Sequence, residues 1–295
     1  MPSAPVEAVL FDLGDTLIQY GDVDKSALFR EAARRTYGEW ASRQRRMPDF
    51  RRYYLHQAFA MWWGYLKLLV RRREMDALRL LRRSSRKLML EAPSPEDAFF
   101  MELAWRWYEP LAEVATLEPR TAAVLRVLRR RGLKLGIVSN TFVPGEVLDR
   151  HLAALGLLRF FPMRVYSCDA GYRKPHGAIF AAAAERLGVA AERVVFVGDT
   201  YDADVTGAMR AGMVPVWKRH AMNAGQANRD GVASVRTLAE LPELLAAMQG
   251  ARRDRDELAA GRVTSPAPTG RQSPTGSSVD SGESRTMRGA GVTGR

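Results

Sequence analysis

One cysteine, Cys168, is present in 295 residues. An internal disulfide framework is therefore excluded, and the composition suits a reducing compartment. Long apolar runs are also lacking: none approaches the roughly 18 residues of a spanning helix. The best candidate, MWWGYLKLLV at 61–70, is interrupted by Lys67, so no membrane span is expected. The first residues, MPSAPVEAV, carry neither a basic n-region nor an apolar h-region. No secretion signal is expected, and the chain reads as soluble and cytoplasmic. Acidic residues are in deficit, 33 against 45 Lys and Arg, for a formal net charge of +12. The deficit is local. Ser26–Lys87 holds 17 Lys or Arg against five Asp or Glu, and the remainder balances to zero. The basic segment leaves a nucleic-acid partner open, but solvated helix faces are the preferred reading of such runs as RRR at 71–73.

With 46% hydrophobic residues the chain can bury a sizeable core, and composition divides it into four regions. In AVLFDLGDTL, the run Val9-Leu10-Phe11 reads as a short buried strand, and Asp12 falls where that strand gives way to the turn Gly14-Asp15-Thr16. Residues 18–115 are aromatic and Arg-rich, with apolar residues at helical spacing, as in ALFREAARRTYGEW and MDALRLLRRSSRKLML. From 116 to 249, helical segments such as TAAVLRVLRRRG alternate with the strand segments LKLGIVSN, MRVYSCD, ERVVFVGD and MVPVWK. Such alternation predicts an α/β fold whose parallel sheet is covered by helices on both faces. Residues 250–295, rich in Gly, Ser, Thr, Pro and Arg, are expected to be a disordered tail, with a regulatory or partner-binding tail as the alternative.

The C-terminal strand ends of a parallel sheet share one edge, where ligands bind. Here those ends carry Asp12, Ser139-Asn140 and Asp199, and GYRKPHGAIF places Lys174 before Pro175 and a helix start. Two carboxylates, a hydroxyl and a lysine suit phosphoryl chemistry with a divalent cation: carboxylates hold Mg²⁺, while hydroxyl and ammonium meet phosphate oxygens. The remaining carboxylate attacks as nucleophile.

Four motifs, FDLGDTL, IVSN, RKPHGAIF and VFVGDTYDADVTGAMRAG, together resemble the haloacid dehalogenase (HAD) superfamily of hydrolases in order and spacing. The resemblance implies a Rossmann-like core, residues 1–17 and 116–249, with an α-helical cap of the C1 type inserted at 18–115. It also implies that Asp12 forms an aspartyl-phosphate on a small phosphorylated substrate, that Ser139 hydrogen-bonds the phosphoryl group and that Lys174 orients it. Asp199 and Asp204 match the acidic residues of the Mg²⁺ loop, with Asp202 close by. The chain departs from the family's Asp-x-Asp pattern: Gly14 stands where phosphatases carry the aspartate that protonates the leaving group. Glycine still supplies a main-chain carbonyl to the metal, so the implied ligands are Asp12, Gly14, Asp199 and Asp204. General acid–base help, worth about 10²–10⁴ in rate, is what the departure affects. Asp15, one place on, a cap residue or the substrate is expected to replace it. The alternatives are a dehalogenase-like hydrolase, which also lacks the second aspartate, and a catalytically weak HAD-like protein whose basic cap binds a partner.

In the cap, Met61, Tyr65 and Leu68 recur at helical spacing and are expected to be a buried stripe, ahead of a base-stacking or membrane-interface role for the aromatic cluster. His56 has no partner at metal-ligand spacing. His176 is expected to cap the helix that follows. Trp105-Arg106-Trp107-Tyr108 either line the active-site entrance or serve a hinge or the core. Nothing in the chain speaks to oligomeric state.

Overall fold

In the computed structural model, which describes residues 4–71, 75–228 and 231–263, strand β1 (Ala8–Phe11) is apolar throughout and buried. Ala8 and Leu10 join one apolar cluster with Val138, Phe180 and Phe196; Val9 and Phe11 join a second with Ile137, Val197 and Val216. Alternate side chains leave a strand on opposite faces, so an unbroken apolar run requires cover on both.

After β1 comes the two-residue strand β2 (Ile18–Gln19), then four helices: α1 (Lys25–Ala41), α2 (Phe50–Arg71), α3 (Ala77–Lys87) and α4 (Glu96–Val114). The chain returns through β3 (Thr116–Leu117), which pairs antiparallel with β2, Ile18 opposite Leu117. Helix α1 starts at Asp24, whose carboxylate accepts from Ser26 and Ala27 N–H at 2.9 and 3.0 Å, satisfying donors the helix itself cannot. It lies along α4, with Arg35 forked onto Glu113 at 2.7 Å through both nitrogens and Trp40 edge-on to Phe99.

The core then alternates: α5 (Thr121–Arg130), β4 (Lys134–Ser139), α6 (Gly145–Ala154), β5 (Met163–Tyr166), the single turn α7 (Ser167–Ala170), α8 (Gly177–Leu187), β6 (Val194–Gly198), α9 (Thr206–Arg210) and β7 (Val214–Lys218). The sheet order is β5-β4-β1-β6-β7-β8, all parallel. Strand β8 (Ser234–Val235), too short for a hydrophobic period, extends the sheet beyond MVPVWK, the last strand expected. The described residues up to 255 form one compact unit. Helix α10 (Leu241–Val263) makes residues 250–263 helical rather than part of a disordered tail. The segment ARRDRDELAA is rich in good helix formers, and the Gly/Ser/Pro bias begins after it. The rest of the expected tail, 264–295, lies outside the described residues. Among those residues no helix is long and apolar enough to cross a membrane.

Candidate active site

Strand order brings the chemistry together. β4, β1 and β6 are adjacent, so Ser139 at the end of β4, Asp12 just past β1 and Asp199 just past β6 stand side by side on one edge. Asp12 N–H donates to Val197 O at 2.9 Å, which prolongs the ladder and fixes where its side chain leaves the sheet. Lys174 reaches the same point from the loop before α8. Its main chain is clamped by Asn140, whose Oδ1 accepts from Lys174 N–H at 2.7 Å and whose Nδ2 donates to Lys174 O at 3.0 Å. Asn140, expected among the catalytic residues, thus holds the main chain of Lys174 in place.

The Lys174 ammonium lies 2.5 Å from Asp12 Oδ1 and 2.6 Å from Asp204 Oδ1, and all three groups are buried. Asp204 also accepts from Thr200 N–H at 2.9 Å. Gly198 makes room for it: a Cβ there would stand 2.4 Å from Asp204 Cγ. Asp202, on the same turn, is exposed. Asp199 is held by groups the sequence reading did not single out. Thr16 Oγ1 donates to its Oδ1 at 3.5 Å, His220 Nε2 is 3.2 Å from its Oδ2, and its carbonyl accepts from Trp217 Nε1 and Asn223 Nδ2.

Asp12, Asp199 and Asp204 each offer an oxygen within 4.8 Å of the others, with one lysine among them. Burial raises the affinity of all three for protons, against the pull of Lys174, and the neighbouring carboxylates add to the rise; Asp204 is pushed up to about 6. For Lys174, burial opposes the charge, but Asp12 and Asp204 outweigh it and hold the ammonium protonated. Clustered hard oxygens with surplus negative charge fit a Mg²⁺-type dication.

A prediction follows for stability. Because the folded-state value of Asp204 lies above the unfolded 3.8, the native state binds more protons between about pH 4 and 6, and ionising this group costs stability as pH rises through 6. Added Mg²⁺ is therefore expected to raise Tm at pH 7.5 by the equivalent of about 2–3 kcal/mol near saturation, and by much less at pH 5, where protons compete for the carboxylates. Gly198→Ala, which displaces Asp204, should abolish the Mg²⁺ increment. Thermal melts with and without Mg²⁺ at the two pH values check both statements.

Beside these groups opens a cavity of about 660 Å³. Ser139, Asn140, Gly14 and Asp15 form its polar end, while Leu28, Phe29, Met61, Trp107, Phe142 and Val143 supply an apolar wall. Lys25, exposed at α1, is the one Lys or Arg in its lining among the described residues. Asp15, at φ 50°, spends one carboxylate oxygen on Tyr20 N–H at 3.2 Å. The Tyr20 ring covers Gly14: a Cβ on Gly14 would meet Tyr20 Cε2 at 3.3 Å. Tyr20 and Tyr108 hydroxyls share a hydrogen bond of 3.0 Å, and Tyr108 continues to His151 Nδ1 at 2.9 Å. Burial raises both phenols and lowers His151, keeping the three groups neutral. His176 Nδ1 accepts from Ala178 N–H at the start of α8, as a cap does.

Residues 6–212 match the family described as haloacid dehalogenase-like hydrolase. The chain is 43% identical over 98 residues to the glyceraldehyde 3-phosphate phosphatase of Methanopyrus kandleri, a match spanning 33% of this chain and 41% of that enzyme. It is 30% identical over 174 residues to the phosphoglycolate phosphatase of Escherichia coli, 56% of this chain and 68% of that one. Among solved structures, a HAD phosphatase from Thermococcus onnurineus superposes with a TM-score of 0.53 at 25% identity, over 81% of this chain and 98% of the other. A 2-haloacid dehalogenase from Pseudomonas syringae shares the fold at 0.55 and 24%, over 82% and 99%.

Proposed function

Because the chain belongs to the haloacid dehalogenase-like hydrolases, we propose that it is a Mg²⁺-dependent phosphatase that cleaves a small phosphomonoester through an aspartyl-phosphate on Asp12. The observation that carries this reading is the Lys174 ammonium between Asp12 and Asp204, with Asp199 alongside. Halide displacement needs no cation, so three carboxylates around one lysine favour phosphoryl transfer over dehalogenation.

Asp12, Asp199, Asp204 and the Gly14 carbonyl would hold Mg²⁺, which supplies charge neutralisation at the phosphoryl oxygens when bound. An Asp12 carboxylate oxygen attacks phosphorus while Ser139 and Lys174 hold the phosphoryl oxygens. The bond from phosphorus to the leaving oxygen breaks, and that oxygen takes the electron pair. Water then attacks the aspartyl-phosphate, releasing phosphate and restoring Asp12. The leaving oxygen needs a proton that residue 14 cannot give. Asp15 is tied to the turn, whereas the Tyr20 ring stands over Gly14, so we assign the proton to the Tyr20 hydroxyl, which recovers it from the attacking water. The apolar wall favours an apolar leaving group over a carboxylate-bearing one, for which Lys25 is the one lining Lys or Arg among the described residues.

The test is a series of phosphomonoesters of falling leaving-group acidity, from nitrophenyl to alkyl, with Mg²⁺. Wild type is expected to hydrolyse them, with phosphoglycolate slower than an apolar ester. Tyr20→Phe should cost about 10²-fold in kcat/KM on the alkyl ester and little on the nitrophenyl ester, which leaves unprotonated. The same leaving-group-dependent loss in Asp15→Asn instead would return the acid role to Asp15. A wild type inert towards every ester would sink the phosphatase reading.

A further inference from the structure

Helix α2 is apolar on two faces, and among the described residues only one of them is covered. Tyr53 and Gln57 are buried against the neighbouring helices, and Met61 lines the cavity. On the outer face Leu55, Phe59, Trp62 and Leu66 recur at intervals of three and four residues and are 53, 58, 58 and 37% exposed, with Trp63 and Tyr65 beside them at 42 and 57%. Tyr65 therefore does not lie in the buried stripe expected for it; Leu68, the last member, has no described side chain. A helical stripe of large apolar side chains facing solvent marks an interaction surface, since scattered single residues are the norm elsewhere.

The charges around the stripe say what covers it. Helix α2 contains no Asp or Glu and four cations: Arg51, Arg52, Lys67 and Arg71. Arg51 and Arg52 are exposed one turn before Leu55, on the same side, and the Lys67 ammonium lies 5.4 Å from the centroid of the Trp63 ring. The adjacent α3 adds exposed Arg83, Arg86 and Lys87, while its Arg79 pairs with Asp76 at 3.0 Å; burial first, then Lys87 and Arg52, depress the pKa of His56, which places Lys87 close to α2. Aromatic rings that prefer the headgroup level, bordered by cations with long apolar stems, match the surface of an anionic bilayer. We infer that the outer face of α2 docks this protein, lying flat, on anionic membrane surfaces. The inference stands apart from the reading of the active site, because Trp62 and Trp63 lie outside the cavity lining.

The experiment is co-sedimentation of the full chain with vesicles of phosphatidylcholine alone or with phosphatidylglycerol added. Expected is a partition coefficient at least about tenfold higher on the anionic vesicles, falling as salt rises from about 0.1 to about 0.5 M. Trp62→Ser with Trp63→Ser, both exposed in the folded protein, should lower it about tenfold or more while Tm stays unchanged; Arg51→Gln with Arg52→Gln should lower it on anionic vesicles only. Equal binding to both compositions, or full binding by the tryptophan variant, overturns the proposal. So does a sedimentation coefficient that rises with concentration and loses that rise in the tryptophan variant, which makes the occupant a second copy. Binding of an oligonucleotide, rather than vesicles, through the same tryptophans overturns it as well.

Discussion

Asp12→Asn is expected to lower kcat/KM for every hydrolysable phosphomonoester by at least about 10⁴-fold. The amide keeps the shape of the carboxylate but has no lone pair basic enough to displace an alkoxide from phosphorus. It also leaves Lys174 its second partner, Asp204 at 2.6 Å, so the buried ammonium stays compensated and the fold should persist. The loss should therefore appear in kcat with an unchanged melting profile, and without any covalent phosphate on the protein in rapid-quench mass measurements. Residual activity within about tenfold of wild type, beyond the range in which a nucleophile is dispensable, would place the nucleophile elsewhere.

Lys174→Met carries the largest expected loss of stability. The ammonium is the cation that faces Asp12 and Asp204, both raised by burial, and removing one partner of a buried ionic group costs about 3–5 kcal/mol. With the cation gone, the two carboxyls hold protons more tightly than in the unfolded chain. Stability must then fall as pH rises through their folded-state values, because the unfolded state binds fewer protons. Urea denaturation in the presence of a chelator should show a deficit that widens from pH 5 to pH 8. A deficit independent of pH would mean that the carboxylates are compensated by other groups. Lys174→Arg is not a safe control, since a planar fork does not fit between two oxygens approached from one small ammonium.

Three of the site residues are legible in the sequence at strand ends, where an apolar run stops at a polar residue: Phe11 to Asp12, Val138 to Ser139, Gly198 to Asp199; Lys174 and Asp204 are legible from their motifs instead. Parallel strands carry that signal locally, and adjacency in the sheet converts it into a site. Thr16 and His220 escaped notice because their partner, Asp199, lies 183 and 21 residues away, and neither stands in a local pattern. The chain from Tyr20 through Tyr108 to His151 joins three segments separated by 88 and 43 residues, which no periodicity reveals. Gly14 was conspicuous as a departure, yet only the packing shows a ring in the space above it. Tyr65 illustrates a different limit: helical spacing identifies a stripe on α2 but cannot say whether that stripe faces protein or solvent.

The two-residue pairing of β2 with β3 sets the terms on which this protein can diversify. Ile18 lies opposite Leu117 in a two-stranded pairing separate from the six-stranded sheet, so the segment between them begins and ends at neighbouring points. Exchanging that segment for a longer or shorter one leaves the separation of its ends unchanged, and the closure cost of a flexible connection grows only with the logarithm of its length, about 0.6 kcal/mol per doubling. The strand ends that hold Asp12, Ser139 and Asp199 lie outside the segment so bounded, whereas Phe29, Met61 and Trp107 of the cavity wall and the outer face of α2 lie inside it. A change confined to that segment would thus remodel the cavity wall while the residues at the strand ends pass unchanged.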